Sequence, residues 1–196
     1  MQLSDVHGNL APHPAVVADG SNDAEAGGKA RIATRVSRVR SDNPASLLLL
    51  VGDATHGSAE TMFTLGDAIM PALNTLDIDV FLPGNWDFGW GPRVYQQRFT
   101  GDTATALSAN NRTTLAWMDG RAGREDQTCN RPGGPVPYRD CHVTKANFPT
   151  VANNLYNYDE ALRREGERVH DPYIIGDVGG VKLAIIGITS DSVPHQ

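Results

Sequence analysis

Three short segments hold side chains that could do chemistry together: Asp5-Val6-His7-Gly8-Asn9, Gly52-Asp53 and Gly84-Asn85-Trp86-Asp87. They supply carboxylate and amide oxygens with imidazole nitrogen and no thiolate, a donor mix that suits Mn, Zn or Fe and disfavours a structural zinc knot. Asp5 and His7, two apart at the end of a strand, can both swing toward one ion. Asp53, on a neighbouring strand, has two oxygens and can bridge to a second. Two ions about 3.5–4 Å apart clamp a phosphoryl-like group and activate a water. Taken singly, each segment has a plainer reading: Asp5-x-His7 as a turn, Gly52-Asp53 as a helix cap, Asn85 as a left-handed turn residue. Their occurrence in order, each after an apolar run, is what argues for a site.

The elements that must position these residues can be read from hydrophobic patterning. Leu47–Val51 is an unbroken apolar run bounded by turn residues, as in a strand buried on both faces. In open α/β sheets chemistry gathers beyond the carboxyl ends of such strands, which is where Asp53 falls. Ile78–Leu82 is a second strand running into Asn85, and the residues before Asp5 close a third. Lys29–Arg40 predicts a helix with an apolar stripe of Ile32, Ala33, Val36 and Val39, ended by Pro44. A second helix is expected over Ala59–Leu76, kinked near Pro71, and a third around Pro92–Phe99. The alternation implies parallel strands joined by right-handed crossovers.

Other stretches read as irregular. Residues 11–28 form a Gly- and Pro-punctuated loop. Residues 100–147 break the rhythm, with one helical stretch near Thr113–Met118, and read as an excursion from the core. Strands resume at Phe148–Ala152, Pro172–Ile175 and Val181–Ile188, with Gly179-Gly180 turning a hairpin.

The chain has 196 residues, enough for one sizeable core, and a net charge of -6 from 17 basic and 23 acidic residues. The basic residues form no block, so duplex nucleic acid is a poor partner. No run of 18 apolar residues could span a membrane, and no signal peptide is visible. Cys129 and Cys141 flank a short polar loop, which suggests a disulfide and an oxidising compartment; two free thiols are the plainer alternative.

The three segments resemble the calcineurin-like metallophosphoesterases, whose pattern is D-x-H, then G-D, then G-N-H-[ED], then later histidines. The likeness is greatest to the branch that holds 5′-nucleotidases and the thiosulfohydrolases of bacterial sulfur oxidation. It extends through Gly27–Arg31, Met70–Asp79, Phe148–Asn154 and Gly180–Thr189, nearly all the chain except about 100–145. The resemblance implies an α/β, mixed-sheet sandwich with helices flanking two sheets, incomplete here at both ends. Residues 1–196 would then be part of one catalytic domain. It also implies a hydrolase using two divalent ions (Mn, Zn or Fe) on a phosphate ester, 5′-nucleotidase-like, in the periplasm or outside the cell. Asp5 and His7 would bind the first ion and Asp53 both; Asn85 would bind the second ion and face the substrate. Asp87 would act with Asn85 in catalysis, and Asn9, His56 and Trp86 would lie close by. His13, His142, His170 and His195 match no motif position and are expected at the surface.

Two departures matter. The family's histidine after the asparagine is Trp86 here, which offers one N–H donor and cannot shuttle a proton. General acid catalysis is typically worth about 10²–10⁴-fold, so either another residue does that job or the leaving group needs less help. Trp86-Asp87-Phe88-Gly89-Trp90-Gly91 looks more like the thiosulfohydrolase side, where sulfate is released from a carrier-protein cysteine. The G-H-x-H segment that completes the family's ions is also absent from these residues. That predicts weak metal binding and little turnover for this stretch alone, and leaves open a scaffold domain that lost catalysis.

Overall fold

The computed structural model describes residues 1–16, 18–101, 128–131, 134–137, 142–159 and 164–190. Three parallel strands, β1 (Gln2–Ser4), β4 (Leu49–Val51) and β5 (Val80–Leu82), lie in the order β1-β4-β5. Isolated parallel bridges, Phe81 to Thr150 and Val151 to Asp171, continue the sheet beyond β5. Leu50 and Phe81, paired across β4 and β5, are fully buried, as a central parallel strand requires. Helix α1 (Lys29–Asp42) buries Val36 and rests Ile32 and Ala33 against the same core. The mixed α/β class and the parallel pairing read from the sequence are both present.

Several elements depart from expectation, each for a local reason. Residues 11–28 are not loop throughout: β2 (His13–Val16) and β3 (Asn22–Ala26) form an irregular antiparallel hairpin. Its ladder is made by backbone groups among polar and small side chains, so no apolar alternation announces it. The helix expected over Ala59–Leu76 is broken into α2 (Ala59–Phe63), a 3-10 turn at Asp67–Ile69 and α3 (Met70–Leu73). The break falls at Leu65-Gly66, both at positive φ, and Pro71 serves as an opening residue of α3 where its missing N–H costs nothing. Helix α4 (Pro92–Tyr95) runs on into a π turn at Gln96–Thr100 that ends on Gly101 in the left-handed region.

Among the described residues, the stretch 100–147 holds some regular structure. It contains the hairpin of β6 (Thr128–Arg131) and β7 (Gly134–Pro137), and by Val143 the chain is back in the core. The return is tied down by polar groups. Arg98, fully buried, pairs with Asp67 at 2.9 Å, and Asp67 accepts from the Thr144 N–H at 2.9 Å. The helix expected near Thr113–Met118 lies outside the described residues.

Two further hairpins follow, β8 (Tyr156–Asp159) with β9 (Arg164–Arg168), and β10 (Tyr173–Val178) with β11 (Val181–Ile186). The second turns on Gly179-Gly180, φ 61° and 83°, the backbone a two-residue primed turn demands. Its ribbon leaves Tyr173, Ile175 and Ile186 exposed on one face, with Val181 and Leu183 exposed on the other. Among the described residues no helix is long and apolar enough to cross a membrane. His13 is exposed as expected, whereas His170 is half-buried, its Nε2 2.8 Å from the Tyr95 hydroxyl. His195 lies outside the described residues.

Candidate metal centre

Backbone pairing between β1 and β4 does not stop where the strands stop. The Asp5 N–H donates to Gly52 O at 3.2 Å, the His7 N–H to Asp53 O at 2.7 Å and the Gly8 N–H to Ala54 O at 3.1 Å. Gly52 in turn donates to Leu82 O at 2.7 Å, joining the loop after β4 to the end of β5. The loops carrying the three motifs are thus laced side by side at one edge of the sheet. Asp5, His7 and Asp53 all have left-handed backbones, with φ of 50°, 45° and 50°. Asp, Asn and His enter that region at least cost, so the loops tolerate there the side chains that ligate metals.

Asp5, His7 and Asp53 each present a ligand atom within 4.8 Å of the others. His7 Nε2 stands 4.0 Å from Asp5 Oδ1 and 3.7 Å from Asp53 Oδ2. Those gaps are too long for good hydrogen bonds. They fit donors arranged around one ion, since ligands about 2.1 Å from a metal stand roughly 3–4 Å apart. His7 Nδ1 faces the His56 carbonyl at 3.3 Å. Donation there leaves the Nε2 lone pair turned toward the carboxylates. Exposure falls from Asp5, 68%, through His7, 35%, to Asp53, 11%, so the group opens to solvent on the Asp5 side.

The third loop grips the second through its backbone. Asp53 Oδ1 accepts from the Trp86 N–H at 2.9 Å, leaving Oδ2 toward His7. Gly84 lies so close that a Cβ there would strike that same Oδ1. Asp87 is buried, and its Oδ1 accepts from the N–H groups of Ala54 at 2.9 Å and Thr55 at 3.1 Å. Its Oδ2 accepts from the Gly84 N–H at 3.0 Å. Burial pushes the Asp87 carboxyl up, against these donors. Asp87 therefore clamps the loops from behind, while the Asp5–His7–Asp53 group faces outward.

The remaining expected residues fall at different distances from that group. Asn85 is half-buried and opens the 3-10 turn Trp86–Phe88 with a right-handed backbone, not the left-handed turn its alternative reading needs. Asn9 is exposed, and its amide folds back onto Val6 O at 3.1 Å. His56 stacks on Trp86, 4.7 Å between centroids, and lies tilted against Trp90 at 4.9 Å. Burial, then the nearby His7, lowers the His56 pKa against the pull of Asp53. Trp90, which packs against His56, has no role in the motif pattern; its recurrence four residues after Trp86 is the available signal. Cys129 lies on β6, but Cys141 falls outside the described residues and their pairing with it. A cavity of about 710 Å³ between Phe99, Lys145, Phe148, Arg168 and Pro172 includes none of the motif residues.

The family model for calcineurin-like phosphoesterases matches residues 1–175. A curated relative, the trifunctional nucleotide phosphoesterase YfkN of Bacillus subtilis, is 26% identical over 83% of this chain and 10% of its own length. Among solved structures, the NAD nucleotidase NadN of Haemophilus influenzae superposes with a TM-score of 0.57 at 19% identity, over 97% of this chain and 26% of that one. The sulfate thiohydrolase SoxB of Thermus thermophilus gives 0.60 at 15% identity, over 98% and 35%. The chain thus spans a tenth to about a third of the length of these relatives, and the structural likenesses speak for the fold.

Proposed function

Since this chain belongs to the calcineurin-like phosphoesterase family, we propose that it carries part of the active site of a metal-dependent hydrolase acting on nucleotides or similar phosphate esters. The observation that carries this reading is the convergence of Asp5, His7 and Asp53 within 4.8 Å. Asp5 and His7 would hold one divalent ion, Asp53 would share it with a second, and Asn85 would complete the second site. Mn, Zn and Fe all fit these oxygen and nitrogen donors. When bound, such ions stabilise charge developing on a phosphoryl group and activate water. The protein's own part is positional. His56 O orients the His7 ring, Trp86 N–H fixes one oxygen of Asp53, and Asp87 holds the loops in register.

The nucleotide reading is supported by the likeness to YfkN, a nucleotide phosphoesterase, and NadN, an NAD nucleotidase. A second reading, sulfate release from a thiosulfonated cysteine of a carrier protein, is favoured by Trp86. An indole at the motif's histidine position cannot protonate an alkoxide, and a thiolate leaves without that help. Either activity belongs in the periplasm or outside the cell, in keeping with the disulfide proposed for Cys129 and Cys141. Residues 1–196 alone would bind metal weakly and turn over little, because four donor side chains, one of them shared, cannot saturate two ions.

Assaying the full-length protein with Mn²⁺ on AMP and on a thiosulfonated peptide separates the readings. Turnover of AMP supports the first, and release of sulfate the second. If neither reacts and no metal co-purifies, both enzyme readings fail and a scaffold role stands.

A further inference from the structure

Trp86 is neither buried nor loose. One face of its indole lies on His56, centroids 4.7 Å apart and planes 24° from parallel. His56 is backed by Trp90, at 4.9 Å and 33°, and the Trp90 indole N–H is anchored on Thr55 O at 3.2 Å. These packed rings brace Trp86, yet 46% of its surface is exposed. That exposure leaves a large part of the indole open to solvent beside the ring contact with His56. The same residue's N–H touches Asp53 Oδ1 at 2.9 Å, so the open part of the indole stands within one side-chain length of the carboxylates.

A braced aromatic face is primed for stacking, because its rotamer freedom is already spent in the free protein. Flat π-systems stack on such a face, whereas flexible aliphatic polyols have no π-face to offer. We propose that Trp86 is a stacking platform for a planar aromatic or heteroaromatic group of the substrate. The site then favours phosphate esters that carry a flat ring over purely aliphatic ones. This rests on the phosphoester reading above and adds a specificity-determining residue to it. Trp86 would act on substrate binding and leave the bond-breaking step to the groups around Asp53.

The test uses the full-length Mn²⁺-loaded protein with AMP, 4-nitrophenyl phosphate and ribose 5-phosphate, for the native chain, Trp86→Phe and Trp86→Ala. Trp86→Ala should raise KM for the two planar substrates about tenfold, as loss of one stacked ring predicts, with kcat nearly unchanged. Ribose 5-phosphate should change less than twofold, and Trp86→Phe should keep most of the selectivity. A readout independent of turnover is quenching of indole fluorescence by AMP but not by ribose 5-phosphate, lost in Trp86→Phe. Equal losses on all three substrates, or turnover of AMP without Trp86-dependent quenching, overturn the proposal. If no ester is hydrolysed, the phosphoester reading fails, while Trp86-dependent quenching by AMP would still support stacking.

Discussion

Asp87 Oδ1 accepts the backbone N–H of Ala54 at 2.9 Å, so a carboxylate in the third loop holds the residue that follows Asp53 in the second. Replacing it with alanine strips buried N–H groups of their acceptor, each worth about 1–3 kcal/mol. Asp87→Ala should therefore lower the unfolding free energy by about 3 kcal/mol or more and weaken Mn²⁺ binding with it. Urea unfolding and calorimetric metal titration check both. Normal stability with abolished turnover would mean that Asp87 takes part in the chemistry directly.

Gly84 sits where a methyl group would meet Asp53 Oδ1 and the Asp53 backbone nitrogen. Gly84→Ala should cost about 1–3 kcal/mol, the usual range for overpacking. It should also displace the carboxylate that faces His7. The diagnostic result is a lowered melting temperature together with weaker Mn²⁺ binding; unchanged values for both would refute the close approach.

Asp53→Asn keeps a side chain that tolerates the left-handed backbone while removing the charge. The fold should survive, as judged by circular dichroism. Mn²⁺ affinity should drop tenfold or more, since this carboxylate is the most buried of the three donors. His7→Ala should do the same through the loss of Nε2. Chelator treatment followed by Mn²⁺ should abolish and then restore turnover of the full-length enzyme; activity persisting in chelator would count against metal-dependent hydrolysis.

His170 supplies a pH dependence. Burial lowers its pKa from the ordinary 6.5 to about 4, and its Nε2 lies 2.8 Å from the hydroxyl of Tyr95, whose own pKa burial pushes up. Neutral imidazole accepts that O–H. The unfolded chain takes up a proton near pH 6.5 and the folded chain only near pH 4, so stability is full above 6.5 and falls as pH drops between the two. Allowing for partial exposure of the ring, the loss should be about 2 kcal/mol. Denaturation midpoints across pH 4–7.5 should show it in the native chain and not in His170→Gln. Parallel profiles would remove His170 as the cause.

What could be read from the sequence follows the strength of its local signals. Leu47–Val51, Ile78–Leu82 and Lys29–Arg40 carry unbroken or helical apolar patterns, and each is an element with shifted ends. Asp5, His7 and Asp53 could be grouped because each closes a strand on the same edge of a parallel sheet. The β2–β3 hairpin could not, because its strands, His13–Val16 and Asn22–Ala26, carry polar and small residues with no apolar alternation. Nor could the break at Leu65, where a left-handed backbone on a helix-forming apolar residue leaves no mark in residue type. His170 was misplaced because its partner Tyr95 is 75 positions away.

The left-handed backbones of Asp5, His7 and Asp53 also bear on how this edge of the protein can change over generations. Glutamate or glutamine would be close substitutes by chemistry, yet the loop geometry disfavours them. Drift is steered toward Asn, Asp, His and Gly, three of which can ligate a cation. A mutational walk confined to those types exchanges one donor for another more readily than it loses donors, so such loops can change metal preference without first dismantling the centre.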